Sequence, residues 1–431
     1  MKIGVKILVA VLILGGIVFA TFWGKKSDGG KVRLRWVVDN SPSRQMEIAG
    51  FEEENPGIRV ELMGSLSGSN TVLTQIAGND PPDIFAVYDP AVLRIFMEKN
   101  ALLDLEPYMD KYNVDVKDFW PALRPYMYFE NKLYGLPPNC GPFVLFYNKD
   151  MFDAKGVKYP DASWTWKDLV DAGRKLTDID EEKKEYRQFG LLSEDPMLFI
   201  WQNGGQMFSP DGKKCIINSK EAKDALRWYY NLRYKEHIMP KPTEMQNLAA
   251  TGGWGGTLNL FAARKVAMFI QGRWMSMVFR KDKRLNWDVA PVPKGKVKVT
   301  MLASKVYVIP KNSKKIEEAA KYLIYQVSKK NQLIISKVGD GIPSRISIGK
   351  SKEFLFDPEF PDEKNNQVYV DEMKYARMPE NTPYADATQV FRSWYEELDR
   401  MYAGLQDSDQ TLDKIADRVN ALIKERGKGG K

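Results

Sequence analysis

The chain has 431 residues, of which 44% are hydrophobic and 12% aromatic, and it carries a formal net charge of +8. This length predicts two domains. The basic residues are neither clustered nor part of a recognisable module, which argues against nucleic-acid binding. The basic excess fits a solvated surface, or a weak attraction to an acidic ligand such as a uronic-acid sugar or to an anionic membrane.

Metal and redox sites lack candidate residues in this sequence. A single histidine, His237, excludes a multi-histidine zinc site. The two cysteines, Cys140 and Cys215, form no CxxC motif, so thioredoxin-like chemistry is not indicated. We therefore expect no metal and no other cofactor. Whether the two cysteines form one disulfide stays open, because bridging requires Cα atoms within about 7 Å of each other.

The N-terminus has the pattern of a membrane-targeting segment. Lys2 and Lys6 precede an apolar run over residues 7–23, and a polar linker follows it. Residues 1–30 are therefore predicted to be a signal peptide, or an N-terminal membrane anchor with its linker, because the run is nearly long enough to span a bilayer. Either case predicts export to the periplasm or the extracellular face, with possible anchoring to the inner membrane through residues 7–23. The sequence leaves the question of cleavage open.

A β-α-β unit follows the linker. Residues 32–38 read as a strand, a turn and a helix follow, and Ile58–Leu62 alternates as a second strand. This predicts a parallel sheet with ligand-facing loops at the carboxyl ends of its strands. A further apolar strand is predicted over Ile84–Val87. The candidate contact residues after these strands are Asn40, Ser43, Tyr88 and Asp89. Ordinary turn chemistry also accounts for Asn40 and Ser43.

The middle of the chain combines a loop, a strand and a helix. Residues 134–142 read YGLPPNCGP, with Asn139 as a candidate contact, and an apolar strand begins at residue 143. The uninterrupted apolar run predicts a strand buried on both faces. Thr165 and Asp168 have the spacing of a capping box and predict the start of a helix.

Several later segments end in tryptophan or glycine. An apolar helix ends near Trp201, residues 252–256 hold Trp254 between glycine pairs, and residues 263–274 lead through Arg273 to Trp274. Residues 341–345 read GIPSR and include Arg345. A helix is predicted by the apolar stripe of Phe391, Trp394, Tyr395 and Leu398.

The order of these phrases resembles the family-1 extracellular solute-binding proteins of ABC importers, which include the maltose-binding type. The phrases are FEEENPGIRV, PPDIF, YGLP, YNKDMF, TW and glycine-x-tryptophan, within residues 32–426. The resemblance implies an α/β, two-lobed periplasmic-binding-protein-like fold of class II, with a ligand cleft between the lobes. It places lobe 1 at residues 31–143 and 297–346 and lobe 2 at residues 144–296 and 347–431. The first crossing would lie in the YGLP stretch and the second at residues 287–295. The first thirty residues contain no cysteine, so the lipoprotein signal of many members is absent.

The resemblance also implies a carbohydrate ligand, either a mono- or an oligosaccharide. Sugars need aromatic platforms for their C–H faces and fixed polar groups for their hydroxyls. Trp274 is the leading candidate, because the family places a stacking aromatic there; a core role is the alternative. The remaining candidates are Trp254, Trp201, Asn139, Arg273 and Arg345, of which the two arginines are also explained as surface residues.

The implied function is that of a monomeric binding protein that delivers its ligand to the transmembrane subunits of an ABC permease. No catalytic residue is expected. An exported glycoside hydrolase or lyase is an alternative, but it needs a positioned carboxylate pair, and no pair is singled out by spacing. An anchored receptor that signals ligand occupancy is a further alternative. The sequence does not identify the sugar.

Overall fold

The computed structural model describes residues 30–64, 69–180, 182–183, 185–248, 259–361, 363 and 365–429. The predicted N-terminal segment and Trp254 lie outside these ranges. The strands are β1 (Val32–Val37), β2 (Ile58–Leu62), β3 (Ile84–Val87), β4 (Tyr128–Phe129), β5 (Lys132–Leu133), β6 (Asn139–Pro142), β7 (Val144–Asn148), β8 (Asp178–Asp180), β9 (Glu185–Leu192), β10 (Val266–Gln271), β11 (Trp287–Ala290), β12 (Thr300–Ser304), β13 (Val306–Val308), β14 (Ile342–Pro343) and β15 (Ala376–Arg377).

The helices are α1 (Ser43–Glu54), α2 (Ser69–Ala77), α3 (Pro90–Glu98), α4 (Glu106–Lys111), α5 (Arg124–Met127), α6 (Lys149–Ala154), α7 (Trp166–Leu176), α8 (Met197–Gln202), α9 (Lys220–Tyr234), α10 (Pro242–Leu248), α11 (Ser276–Phe279), α12 (Ile316–Gln326), α13 (Lys329–Val338), α14 (Ile346–Gly349), α15 (Lys352–Leu355), α16 (Asn366–Glu372), α17 (Ala387–Tyr402) and α18 (Ser408–Gly429). Single 3-10 turns stand at Val116–Asp118, Pro121–Leu123 and Arg273–Met275. In the described part of the chain, no helix combines the length and apolarity that crossing a membrane requires.

The first lobe is built on a sheet with strand order β13-β3-β1-β2. Strand β1 runs parallel to both β2 and β3, which confirms the predicted β-α-β unit, while β13 pairs antiparallel with β3. Trp36 of β1 is fully buried, and its ring makes edge contacts with Tyr307 at 5.3 Å and Tyr322 at 5.2 Å between centroids. Such aromatic pairs stabilise a core beyond the area they bury. They fix β1 against the segment that returns from the second lobe.

The second lobe is built on a sheet with strand order β11-β7-β10-β9-β8. Every residue of the interior strand β7 is buried, as its apolar run predicts. Helices α17 and α18 complete this lobe, with Trp394 and Leu412 buried in the same core as Leu145 of β7. Thr165 and Asp168 form the predicted capping box at the start of α7. The second lobe therefore draws on two separate stretches of the chain.

A third sheet, with strand order β14-β6-β12-β15, joins the two lobes. Strand β6 follows the YGLP stretch and precedes β7 of the second sheet, and it pairs antiparallel with both β12 and β14. The stretch predicted as the second crossing, residues 287–295, begins inside the second sheet. Trp287–Ala290 is strand β11, paired antiparallel with β7 inside the second sheet, and the chain returns through β12. A short apolar strand has the same sequence pattern whether it crosses between lobes or lies inside one sheet, because the pattern does not show which strand it pairs with.

The two cysteines lie in different parts of the fold. Cys140 is in β6 of the joining sheet, and Cys215 is in the core of the second lobe. Both are buried and both are free thiols.

Candidate functional site

The candidate site is the cleft between the lobes, where two cavities meet at Tyr88, Ala303 and Ser304. The wide cavity has a volume of about 390 Å³ and lies between the end of β3, the start of α8 and helix α17. The narrow cavity has a volume of about 310 Å³ and lies between the end of β1, the joining sheet and Trp274. Both volumes fall within the range of small-molecule sites. Strand β12 thus runs between two halves of one cleft.

Trp274 forms one wall of the narrow cavity. Strand β10 ends at Gln271, and the following turn presents the indole edge-on to Phe143, with 5.6 Å between ring centroids. The ring also lies against the backbone of Gly141 and Gly272, where an added Cβ atom would stand 2.7 and 2.0 Å from ring carbons. Only glycine leaves room for the ring at these positions. The indole is therefore held in place and partly exposed to the cavity.

A network of charged side chains also lines the narrow cavity. The Arg44 guanidinium, which is 1% exposed, donates to Asp39 at 3.0 Å and to Asp340 at 3.1 Å. It also pairs with the fully buried Glu47. The Lys305 ammonium lies 3.4 Å from Asp340. The network connects the end of β1, helix α1 and the joining sheet through charge-assisted hydrogen bonds, which are stronger than neutral ones.

The network keeps its carboxylates ionised. Burial raises the pKa of Asp39, but the charges of Lys305 and Arg44 outweigh it, so the pKa lies well below its usual range. Asp340 is affected in the same way, and its pKa is lowered. Tyr88 donates to Asp39 at 2.6 Å, and burial together with the charge of Asp39 raises the pKa of that phenol. The narrow cavity therefore presents fixed acceptors and donors, which is what sugar hydroxyls require.

The wide cavity combines carboxylates with apolar and aromatic side chains. Asp89 caps α3 by accepting from the Ala91 amide at 2.7 Å. Tyr395 of α17 donates to Asp195 at 3.2 Å. The rings of Tyr395 and Phe391 lie 4.5 Å apart between centroids and are both exposed. The cavity therefore offers aromatic surface beside acceptor oxygens from both lobes.

Glu380 also lines the wide cavity, but its oxygens are engaged by protein groups. They accept from the Trp201 indole at 2.9 Å and from the Phe208 amide at 3.0 Å, and they pair with Arg377 at 2.7 Å. Trp201 is 2% exposed and lies beneath this carboxylate, under the guanidinium of Arg377. Its indole contacts the protein interior rather than the cavity space.

Four of the predicted contact residues line the cleft: Trp274, Tyr88, Asp89 and Asn139. The side chain of Asn139 is buried and donates to the backbone carbonyl of Asp340. Ser43 is fully buried, and its hydroxyl accepts a hydrogen bond from Arg44 at 3.0 Å. It therefore helps to hold the guanidinium of the charged network in place. Asn40 is exposed on the loop after β1.

The two predicted arginines line neither cavity and bind protein groups instead. The guanidinium of Arg273 donates to the carbonyls of Ser336 and Gly341, each at 2.9 Å, and burial lowers its pKa to about 10. Arg273 thereby ties the turn before Trp274 to the end of α13. The Arg345 side chain donates to Asp118 at 2.9 Å in the first lobe. These contacts favour structural roles for both arginines.

The charged network and most of the wide cavity are not predicted from the sequence. Arg44 and Asp340 are 296 positions apart, and no local pattern indicates their pairing. Asp39 carried a usable signal, because it is the first polar residue after a predicted parallel strand. Phe391 and Tyr395 were assigned to the apolar face of a helix, and the structure places both beside the cleft. Among the described residues, no group of His, Cys, Asp and Glu is placed to hold a metal ion.

This architecture agrees with the comparison to known families. Residues 38–333 match the model of a family described as bacterial extracellular solute-binding protein, which is more than half of the chain. The chain belongs to this family. Relatives of this solute-binding protein in Bacillus subtilis include an arabinooligosaccharide-binding protein, 26% identical over 82% of each chain. A maltodextrin-binding protein of the same species is 23% identical over 93% of this chain and 92% of its own.

Solved structures share the two-lobed fold of this solute-binding protein. An ABC substrate-binding protein from Listeria monocytogenes in complex with cycloalternan superposes with a TM-score of 0.80 at 25% identity, covering 91% of this chain and 99% of its own. A maltose/maltodextrin-binding domain from Bdellovibrio bacteriovorus bound to maltotriose gives a TM-score of 0.73 at 20% identity, covering 91% and 100%.

Proposed function

We propose that this solute-binding protein binds an oligosaccharide in the inter-lobe cleft and delivers it to the permease of an ABC importer. The observation that carries the proposal is the arrangement of the narrow cavity. Trp274, Asp39 and Lys305 line the same cavity of about 310 Å³. An aromatic platform together with fixed acceptors and donors matches a sugar ring, with its apolar face and its hydroxyl edge.

The wide cavity favours an oligosaccharide over a single sugar. It continues the narrow cavity past Tyr88 and Ser304 and ends at the exposed rings of Phe391 and Tyr395. A ligand of several units would occupy both halves and contact aromatic surface along its length. The relatives named for binding arabinooligosaccharide and maltodextrin support this size class.

Ligand binding is coupled to closure of the lobes. Residues 31–143 and 297–346 form lobe 1, residues 144–296 and 347–431 form lobe 2, and strands β6 and β12 act as the hinge. Asp39, Tyr88 and Asp89 belong to the first lobe, whereas Trp274 belongs to the second. A ligand that touches both walls binds the closed state more tightly and shifts the population toward it. The closed lobes present the surface that the permease recognises.

The protein acts as an exported monomer that releases its ligand unchanged. Residues 1–30 direct export to the periplasm or the extracellular face, and residues 7–23 anchor the protein in the membrane if they are not removed. Enzymatic turnover of the sugar is not part of this proposal, since the family is defined by binding proteins.

The test is thermal unfolding of the purified full-length protein against neutral and acidic mono- and oligosaccharides. A ligand at a hundred times its Kd stabilises the folded state by about 2.7 kcal/mol, which raises Tm visibly. We expect one class of oligosaccharide to raise Tm, with the sugar recovered intact by chromatography. Trp274→Ala should abolish the shift, whereas Tyr159→Ala, an exposed aromatic outside both cavities, should retain it. Cleaved sugar, or no shift across the whole panel, would contradict the proposal.

A further inference from the structure

The two halves of the cleft differ in how their charges are balanced. In the narrow cavity, the carboxylates of Asp39 and Asp340 pair with the cations of Arg44 and Lys305. The wide cavity is lined by three carboxylates, and no lysine, arginine or histidine is among its described lining residues. One of the three, Glu380, is paired with Arg377 behind the wall. The wide cavity is therefore the half of the cleft in which carboxylates lack cationic partners among the described residues.

The two remaining carboxylates lack a cationic partner among the described residues. Asp89 accepts from the Ala91 amide, and Asp195 accepts from the Met197 amide at 2.7 Å and from the Tyr395 hydroxyl. Neither takes part in an ion pair in the described part of the chain. Burial raises the pKa of both carboxyl groups. An ionised carboxylate in either place has no cation among the described residues beside it to balance its charge.

The two carboxylates stand on opposite lobes. Asp89 follows β3 of the first lobe, and Asp195 precedes α8 of the second. Tyr395 lies within the electrostatic reach of both, since burial and Asp195 chiefly raise the pKa of its hydroxyl and Asp89 adds to the effect. Closing the lobes therefore brings two like charges toward the same ligand. Like charges at a site oppose closure unless the ligand supplies hydrogen-bond donors or positive charge.

We infer that the wide cavity selects sugar units that carry no negative charge, and that Asp89 and Asp195 are the residues that enforce this selection. The inference rests on the proposed function and defines its substrate class. A neutral sugar satisfies both carboxylates with hydroxyl donors, and an amino sugar adds a favourable charge. A uronic acid places a third carboxylate between them, and an unpaired repulsive group of this kind is an effective means of excluding a competitor.

The selection opposes the overall charge of the protein. The chain carries a formal net charge of +8 and would attract anionic sugars at long range. Discrimination between neutral and anionic sugars must therefore come from the cleft itself. It will also weaken with added salt less than a surface effect does, because buried charges are screened poorly.

The experiment measures the Kd of matched neutral and acidic trisaccharides by isothermal titration calorimetry with the full-length protein. The neutral probes are maltotriose, mannotriose and galactotriose, and each is compared with its derivative oxidised to carboxylates at C6. The oxidised form should bind at least about tenfold more weakly than its parent. Two like charges about 6 Å apart, at an effective dielectric constant of about 20, repel strongly enough to raise Kd by more than about tenfold. The C6-amino derivative should bind no more weakly than the parent.

The variants are Asp89→Asn and Asp195→Asn, singly and together. Asparagine caps a helix as well as aspartate does and keeps an acceptor for the Met197 amide, so both substitutions remove charge while preserving local structure. The double variant should reduce the acidic-to-neutral Kd ratio to within about threefold of unity, because the repelling charges are gone. Asp110→Asn is the control for net charge. It is exposed, lines neither cavity and should leave the ratio unchanged.

The outcomes separate this inference from the proposed function. Equal binding of a parent trisaccharide and its oxidised form would overturn the inference and leave the function standing. Tighter binding of the oxidised form, or a ratio that the double variant does not change, would also overturn it. Absence of binding for every trisaccharide and every derivative would overturn the proposed function, and the inference would fall with it.

Discussion

The backbone of Gly141 in the hinge strand β6 lies directly beneath the indole of Trp274 from the second lobe. A Cβ atom built at Gly141 would stand 2.7 Å from a ring carbon, which is closer than side-chain atoms approach one another. The position of the proposed sugar platform is thus set by a strand that also carries the hinge. Movement of the hinge and placement of the indole are physically linked.

Gly141→Ala should weaken sugar binding about tenfold, because the added methyl group rotates the indole and removes most of its stacking contact. The change is measured by calorimetry, and tryptophan fluorescence should report the altered surroundings of the ring. Gly57→Ala is the matched control, since a Cβ atom there meets no atom within 4 Å. Unchanged affinity in the Gly141 variant would show that Trp274 is not the platform.

Arg44→Met should lower the free energy of unfolding by about 3–5 kcal/mol, because it leaves buried carboxylates without their cation. Glu47 and Asp340 are the partners most affected. The measurement is urea denaturation followed by circular dichroism. Arg59→Gln breaks an exposed pair with Glu52 and should cost less than about 1 kcal/mol. Equal losses in the two variants would show that the Arg44 network adds nothing beyond a surface ion pair.

The stabilising effect of Asp340 should depend on pH. Burial opposes ionisation of this carboxyl, but Lys305 and Arg44 outweigh it, so its folded pKa is lowered. A lowered folded pKa gives stability that is present above the unfolded pKa of about 3.9 and lost as the pH falls through the folded pKa.

Asp340→Asn should therefore differ most from the wild type in unfolding free energy at pH 7, and the difference should shrink below about pH 4. Urea unfolding at a series of pH values measures it. The exposed Asp110→Asn variant should stay within about 0.5 kcal/mol of the wild type throughout. A difference for Asp340→Asn that is constant, or that grows toward low pH, would contradict the assigned ion pairs.

Arg426→Gln should weaken ligand binding slightly at low salt. Arg426 of α18 in the second lobe pairs with Glu98 of α3 in the first lobe at 2.5 Å, so the pair favours the closed arrangement. Both side chains are partly exposed, and such a pair is worth at most about 1 kcal/mol, or roughly fivefold in Kd.

The effect of Arg426→Gln should disappear in 1 M salt, where exposed charges are screened. Calorimetry in low and high salt measures it. Arg227→Gln is the control, because Arg227 pairs with Asp409 inside the second lobe and should not influence closure. Identical effects of the two substitutions would show that the Arg426 pair is unconnected with closure.

Local signals predicted the parts of the fold that depend on neighbouring residues. The capping box at Thr165 and the buried strand β7 both follow from short patterns. The identity of the hinge does not, because Trp287–Ala290 and Thr300–Ser304 are both short strands. They differ in which distant strand they pair with, and a single sequence does not contain that information.

The residues of the candidate site also differ in whether local sequence patterns could predict them. Trp274 could be proposed from its glycine-x-tryptophan phrase, yet the adjacent Arg273 points into the matrix and donates to carbonyls from a different stretch of chain. Adjacent residues in a 3-10 turn point in different directions, and sequence alone does not tell which one faces the ligand. The pairing of Arg44 with Asp340 depends on the arrangement of the whole first lobe, so no local signal could have indicated it.

The most direct test of the central claim is a crystal structure of the protein grown with the oligosaccharide that gives the largest Tm shift. We expect continuous density for the sugar between the lobes, with one ring stacked on Trp274 and hydroxyl groups within hydrogen-bond distance of Asp39 and Lys305. Density for the sugar at another surface, or a cleft that stays empty at saturating sugar, would contradict it.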